Sequence, residues 1–213
     1  YYGEALMGNG KYDEAKEWFL KYDAYNPKDT RAITMVGACE KAKTLRPIFP
    51  DITLSRLPFN SDGDDYAPMI YGDDLLFISD KSEDKKREYE WTGRAFSGIY
   101  YARSDSAEHF SAEVLPFSRQ FNKREKNSGP ASLSGNQKYL FFSRNNEELN
   151  SSGTKYTMAV YYSERSVVGW KKPKKLPICN PNFNFMHPAA SFTGDTLYFT
   201  SDKPGGFGET DIY

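Results

Sequence analysis

The sequence predicts an α+β multidomain chain, with an α-helical repeat segment at residues 1–46 followed by an incomplete antiparallel all-β propeller at residues 47–213. Before residue 46, apolar residues recur at helical spacing, whereas later they gather in short runs rich in aromatic and β-branched side chains. One pattern also occurs three times, around Pro68, Pro130 and Pro188, which lie 62 and then 58 residues apart. A period of this kind indicates a repeated supersecondary unit.

Two helices are predicted in the first segment. The first has one broad apolar face, formed by Tyr12, Ala15, Phe19 and Tyr22. Pro27 ends this helix, and Asp29 or Thr30 is expected to cap the next one. The second helix has its own apolar side, formed by Ala32, Met35, Val36, Cys39 and Ala42. On this helix, Gly37 and Ala38 are expected to allow close approach of its neighbour.

The string G-K-Y-D-E-A from Gly10 to Ala15 resembles the second half of a tetratricopeptide repeat. Tyr1–Met7 would then be the end of the first helix of that repeat, so about one and a half repeats are expected. Pro47 and Pro50 end the helical part and place the domain boundary between residues 46 and 47.

Each of the three later copies contains a proline, which is expected at a strand start because it cannot donate to a β-ladder. A turn follows, and then a strand suited to a buried, pleated position. These strands are predicted at Leu75–Ser79, Lys138–Ser143 and Thr196–Ser201, with later strands at Gly98–Ala102, Met158–Ser163 and Asp211–Tyr213. Because about two and a half blades cannot close a ring, we expect further chain beyond Tyr213 or a second chain to complete the propeller.

Composition excludes several functions. The net charge is −1 with 27% charged residues of mixed sign, so no long-range field favours nucleic acid. Mean hydropathy is −0.72 and no apolar run has transmembrane length, so no transmembrane segment is expected. Cys39 and Cys179 fall in different predicted domains and are interpreted as small buried apolar residues rather than a disulfide.

Longer strings indicate a family. They are Tyr66–Pro68, Tyr71–Leu75, Trp91–Gly93 with Phe96, Ser128–Pro130, Leu140–Asn146, Ser201–Gly208 and Asp211–Tyr213. Together they resemble the periplasmic proteins of Bacteroidetes that join tetratricopeptide repeats, a WD-like propeller and an OmpA-like domain, including a component of the type IX secretion system. The resemblance implies a periplasmic, outer-membrane-associated protein whose partners are outer-membrane or periplasmic protein subunits. The family's lipoprotein cysteine would precede Tyr1, and its peptidoglycan-binding domain would follow Tyr213.

Few residues suggest chemistry, and no catalytic, cofactor-binding or metal-binding residue is predicted. His109 and His187 are interpreted as packed or surface histidines. Asn60, Asp62 and Asp64 alternate as in a calcium loop, but Asp65 replaces the required glycine and Tyr71 the bidentate glutamate. Three acidic residues, Asp202, Glu209 and Asp211, surround the last glycine-rich turn, where such side chains usually bond to nearby backbone.

Two groups are candidate partner-binding residues. The first is Trp91 with Phe96, on a long charged excursion, for which packing of the loop onto the propeller is the alternative. The second is Lys171, Lys172, Lys174 and Lys175 around Pro173, for which protection of an edge strand is the alternative.

The sequence therefore predicts a non-enzymatic periplasmic scaffold that links an outer-membrane protein complex to the cell wall. Ligand binding is the second hypothesis, with a propeller that recognises a glycan or a peptide. A third hypothesis is the gating domain of a hydrolase, which no catalytic constellation in the sequence supports.

Overall fold

The computed structural model describes residues 1–45, 54–81, 88–89, 93–106 and 109–213. The chain divides into a helical unit, Tyr1–Ser55, and a β unit, Arg56–Tyr213. The predicted boundary between residues 46 and 47 lies outside the described residues. Among the described residues, no helix is long and apolar enough to cross a membrane.

Where the helical unit is described, it contains three helices: α1 (Tyr2–Gly8), α2 (Tyr12–Tyr25) and α3 (Arg31–Leu45). Their apolar faces meet in one core, formed by Leu6, Ala15, Phe19, Ala32, Val36 and Cys39. Helix α2 ends two residues before Pro27, as the helix-breaking ring requires. The helical spacing therefore predicted both of the longer helices correctly.

Two further predictions for the helical unit concern the start of α3 and the closest contact between helices. The Arg31 N–H donates to Asp29 Oδ1 at 3.1 Å, so Asp29, one of the two predicted capping residues, accepts from the first residue of α3. The close approach predicted at Gly37 is wrong, because a Cβ at Gly37 would meet no atom within 4 Å. The close contact lies at Gly3, where a Cβ would come within 2.8 Å of the Phe19 ring.

The described part of the β unit contains fourteen strands. They are β1 (Asp65–Tyr71), β2 (Asp74–Ser79), β3 (Glu88–Tyr89), β4 (Arg94–Ala95), β5 (Gly98–Ser106), β6 (His109–Pro116), β7 (Ser128–Leu133), β8 (Tyr139–Asn145), β9 (Met158–Ser166), β10 (Gly169–Trp170), β11 (Lys174–Lys175), β12 (Phe185–Ala190), β13 (Leu197–Ser201) and β14 (Asp211–Ile212). The first sheet has the order β1-β2-β5-β6 and the second β10-β9-β8-β7, with β11 also paired to β9. The third has the order β12-β13-β14, and β3 pairs with β4 alone. All pairings are antiparallel.

The repeated prolines lie inside strands rather than at their starts, which corrects the prediction. In β1, β7 and β12 the register shifts across the proline, between Tyr66 and Met69, Ser128 and Ala131, and Met186 and Ala189. A bulge leaves one residue out of the ladder, so a residue without an N–H is tolerated there. The same bulge therefore recurs in the first strand along the chain of each of the three larger sheets.

One core joins the three sheets. Its buried members include Leu76 and Ile78 from the first sheet, Leu140 and Phe142 from the second, and Phe199 from the third. Phe121, from the loop between β6 and β7, is fully buried in the same core. Both cysteines are free and buried, as predicted, and burial raises the pKa of each thiol.

The predicted fold class is wrong. The described chain has three short helices, three antiparallel sheets of three or more strands and the β3-β4 pair, so it is a small, mostly β fold rather than a helical repeat segment plus a propeller. Three helices are too few for a repeat array, in which several repeats must stack to bury a continuous core. The sheets have four, five and three strands and number fewer than the roughly four to eight blades of a propeller. Local patterns predicted the elements, but their assembly depends on contacts between distant residues.

Candidate functional site

A cleft of about 320 Å³ opens on one face of the second sheet. Its floor is formed by Arg144 of β8 and Tyr161 of β9. Its walls come from the loop before β7, the loop after β8 and the segment around β11, which contribute Gln120, Lys123, Glu147, Glu148, Lys172, Pro173 and Lys175. Segments far apart in sequence therefore converge here.

Arg144 is the unusual residue of this cleft, because it is only 2% exposed. Its guanidinium carbon lies 3.9 Å from the centre of the Tyr161 ring, a cation–π distance. Nη1 donates to the Gln120 carbonyl oxygen at 3.3 Å, and Nη2 lies 3.5 Å from a Glu147 carboxylate oxygen. Among the described residues, Nε is the buried side-chain N or O atom without a hydrogen-bond partner. A buried guanidinium with long contacts and an unused donor retains capacity to bind an anion.

The charges around Arg144 are held in place by a polar framework. Glu147 pairs with Lys123, and this hydrogen bond lowers the pKa of the Glu147 carboxyl. The buried Asn146 accepts from Lys126 Nζ at its carbonyl oxygen, 2.9 Å away, and from Lys175 Nζ at its side-chain oxygen, 3.3 Å away. Burial lowers the pKa of Lys126. The loop after β8 therefore fixes both carboxylate and ammonium groups around the cleft.

The four candidate lysines do not form one patch. Lys172 and Lys175 line the cleft, whereas Lys171 pairs with Glu164 at 2.7 Å and lowers the pKa of that carboxyl through the hydrogen bond. Lys174 and Lys175 are adjacent in β11 and pair with Tyr162 and Tyr161, so their side chains point to opposite faces. Strand β11 lies along the outer edge of β9, which agrees with the edge-strand interpretation.

Of the two candidate aromatic residues, Trp91 and Phe96, the structure describes Phe96. Trp91 lies outside the described residues. Phe96 is half-buried and lines a small cavity of about 80 Å³ with Gly98, Tyr100 and Asn122. The structure therefore does not bring Phe96 to the cleft that contains Lys172 and Lys175.

The helical unit has a separate groove of about 330 Å³ between its helices. Exposed aromatic side chains line it, with Tyr2 59%, Trp18 46% and Tyr22 41% exposed. Tyr2 and Trp18 make an edge-to-face contact with their ring centres 5.1 Å apart. Asp29 and Arg31 at the rim pair with each other at 2.6 Å, so the charge of the groove is locally compensated.

Members of the other candidate groups make structural contacts. Asn60 Oδ1 accepts from the Leu57 N–H at 2.9 Å, and an Asp64 carboxylate oxygen pairs with Arg94 at 2.7 Å. Asp211 accepts from the Gly208 N–H at 2.9 Å, as predicted for a turn carboxylate. Within the described ranges, no cluster of three or more His, Cys, Asp or Glu residues could hold a metal ion.

Arg144 is a candidate site residue that was not predicted from the sequence. A signal was present, because Leu140, Phe142 and Arg144 alternate along one strand and therefore share a face. Two inward apolar residues followed by arginine at the next inward position indicate a buried cation. The positions of Gln120 and Lys172 beside it had no comparable signal.

Comparisons with known proteins add little. No protein-family model matches the chain, and no curated protein matches it. A solved structure with a weak likeness is the Trypanosoma rangeli sialidase in complex with the inhibitor DANA, at 11% identity and a TM-score of 0.30. The match covers 69% of this chain and 31% of the sialidase chain, so the chain spans about a third of that structure's length. A likeness this low carries no argument about fold or function.

Proposed function

We propose that this chain is a non-enzymatic scaffold of the bacterial periplasm that holds protein subunits of an outer-membrane-associated complex. The periplasmic location and the association with the secretion machinery of Bacteroidetes are proposed from the family resemblance of the sequence. Attachment to peptidoglycan would belong to a domain outside these 213 residues.

The observation that carries the proposal is the aromatic groove of the helical unit. Tyr2, Trp18 and Tyr22 expose large rings around a concave surface, and aromatic side chains of this kind dominate the centres of protein interfaces. The Asp29–Arg31 pair adds a polar rim with little net charge. This combination fits an apolar side-chain anchor of a protein subunit better than a charged ligand.

The test is capture of partners from the native envelope in mild detergent, followed by mass spectrometry, with the full-length protein and two variants. Trp18→Ala removes the central ring of the groove, whereas Tyr25→Ala removes an 87% exposed ring of the same helix that does not line it. We expect the native protein and Tyr25→Ala to recover the same outer-membrane or secretion components. Trp18→Ala should lose them by about tenfold, as for an interface anchor.

Two outcomes would contradict the scaffold. One is recovery of the protein without outer-membrane components. The other is equal loss in both variants, which would indicate that the groove is not the binding surface.

A second candidate function, recognition of a small glycan or peptide, is favoured by the cleft around Arg144. Its volume of about 320 Å³ is at the lower end of the range for small-molecule sites. Convergent polar groups from several loops are also typical of such sites.

A further inference from the structure

The charged side chains that line the β-unit cleft indicate the chemistry of its ligand. Four cationic side chains line the cleft (Lys123, Arg144, Lys172 and Lys175) against two carboxylates, Glu147 and Glu148. The lining therefore has a formal net charge of +2 (4 − 2), and because Lys123 and Arg144 share Glu147, the cations that no described carboxylate pairs with are Lys172 and Lys175. In the described part of the chain, neither Lys172 nor Lys175 pairs with a carboxylate. The cleft therefore favours an anion.

The buried guanidinium narrows the choice of anion. Arginine has five N–H donors in a planar fork that matches a carboxylate in two parallel hydrogen bonds. The Nη contacts of Arg144, at 3.3 and 3.5 Å, exceed the roughly 2.7–2.9 Å of a strong charge-assisted bond, and Nε has no partner. The guanidinium carbon lies 3.9 Å from the centre of the Tyr161 ring, a cation–π contact that uses none of the N–H donors as a hydrogen bond to a carboxylate would.

We propose that this cleft binds a small carboxylate-bearing ligand, whose carboxylate bonds to Arg144 while Lys172 and Lys175 compensate its charge. The two coplanar oxygens of a carboxylate match the planar fork of an arginine in two parallel hydrogen bonds, so a carboxylate is the anion that we assign to the site. The carboxylate can belong to a uronic sugar or to the C-terminus of a peptide. This inference rests on the second candidate function and is independent of the aromatic groove.

The experiment is an NMR titration of the full chain with two acids and their neutral counterparts. The acids are glucuronate and N-acetyl-alanyl-alanine, and the counterparts are glucose and the amide of the same dipeptide. The Arg144 Nε–H signal is the direct readout, since that donor lacks a partner. We expect saturable shifts with at least one acid, with a Kd of about 0.1–1 mM for a site with a single charged anchor, and no saturation with its neutral counterpart. The acid that binds more tightly identifies the source of the carboxylate.

Adjacent lysines provide matched variants. Lys172→Glu reverses a charge that lines the cleft, and Lys171→Glu makes the same change at an exposed neighbour that does not line it. We expect Lys172→Glu to raise the Kd for the acid about tenfold and Lys171→Glu to change it less than about twofold. Both residues are exposed, so unchanged spectra elsewhere should show that each variant is folded.

Three results would overturn the proposal: no saturable shift with either acid, equal binding of acid and neutral counterpart, or equal weakening by the two lysine variants. A different measurement, the capture of envelope partners, tests the scaffold function. Loss of envelope partners in Trp18→Ala leaves carboxylate binding unchanged, and loss of carboxylate binding in Lys172→Glu leaves partner capture unchanged.

Discussion

The helical unit and the β unit each contain a cleft of similar volume, about 330 and 320 Å³, with opposite chemistry. The helical groove exposes aromatic rings, and its ion pair is satisfied. The β-unit cleft instead contains a charge that is removed from water, with an unused donor. Exposed rings leave the folded core intact, whereas a buried, poorly paired charge opposes folding. The two clefts are therefore expected to differ in stability, because burial of the Arg144 charge opposes folding and exposure of the aromatic rings does not.

The largest expected effect is the loss of unfolding free energy when the core of the β unit is changed. Phe121 is fully buried in the β unit, 5.2 Å from Phe142 between ring centres. Phe121→Ala should reduce the unfolding free energy of the β unit by about 3–5 kcal/mol, because it leaves a cavity beside the cleft. Urea unfolding followed by circular dichroism measures the loss. Phe207→Ala, at a fully exposed ring, is the control, and a loss below about 1 kcal/mol for Phe121→Ala would contradict the assignment.

The prediction of intermediate size tests how much the buried charge of Arg144 destabilises the fold. Arg144→Met replaces the guanidinium with an apolar chain, so we expect the unfolding free energy to change by no more than about 1 kcal/mol, or to rise. Carboxylate binding should be abolished in the same variant. Lys123 remains to pair with Glu147, so the carboxylate that Arg144 contacts keeps a partner in the variant.

The measurement is urea unfolding of Arg144→Met beside the native chain, with the glucuronate and dipeptide titrations repeated on the variant. A loss of about 3 kcal/mol or more would show that Arg144 is a structural ion pair rather than a binding residue. Retained carboxylate binding would remove Arg144 from the proposed site.

The smallest expected effect is the pH dependence of the stability of the helical unit. Hydrogen bonds from Arg31 hold the pKa of the Asp29 carboxyl well below its usual range. A carboxyl with a depressed folded-state pKa stabilises the fold above its unfolded pKa of about 3.9, and this contribution is lost as pH falls through the depressed value. The helical unit should therefore lose stability below about pH 4, and Asp29→Asn should flatten that dependence.

Helical circular dichroism at stepwise lower pH measures this dependence. Glu17→Gln is the control, because Glu17 is exposed on the same unit and makes no ion pair among the described residues. Identical acid profiles for Asp29→Asn and the native chain would contradict the prediction.

Much of the local structure could be predicted from patterns within a few residues. Helical spacing identified α2 and α3, and β-branched and aromatic runs identified β2, β8 and β13. The proline position was misread as a strand start, because a bulge depends on the partner strand and not on the proline alone. The fold class was wrong for the same kind of reason, since the sequence pattern of one sheet does not determine how many sheets assemble or in what arrangement.

The candidate site was predictable only in part. Lys172 and Lys175 were identified from sequence, but as members of a surface patch with Lys171 and Lys174. Alternation along β8 placed Arg144 inward, although an inward arginine does not by itself indicate a cleft.

The sequence by itself determined the helices, the strands and the recurrence of one pattern at Pro68, Pro130 and Pro188, because these follow from side-chain periodicity and backbone sterics over short distances. Only the tertiary structure decided the cleft, since Gln120, Arg144, Tyr161 and Lys172 come from separate segments that folding brings together. It also decided that the Arg144 guanidinium would be buried with an unused donor. That property depends on which groups pack around the side chain, and those groups are specified by the assembled sheet and its loops.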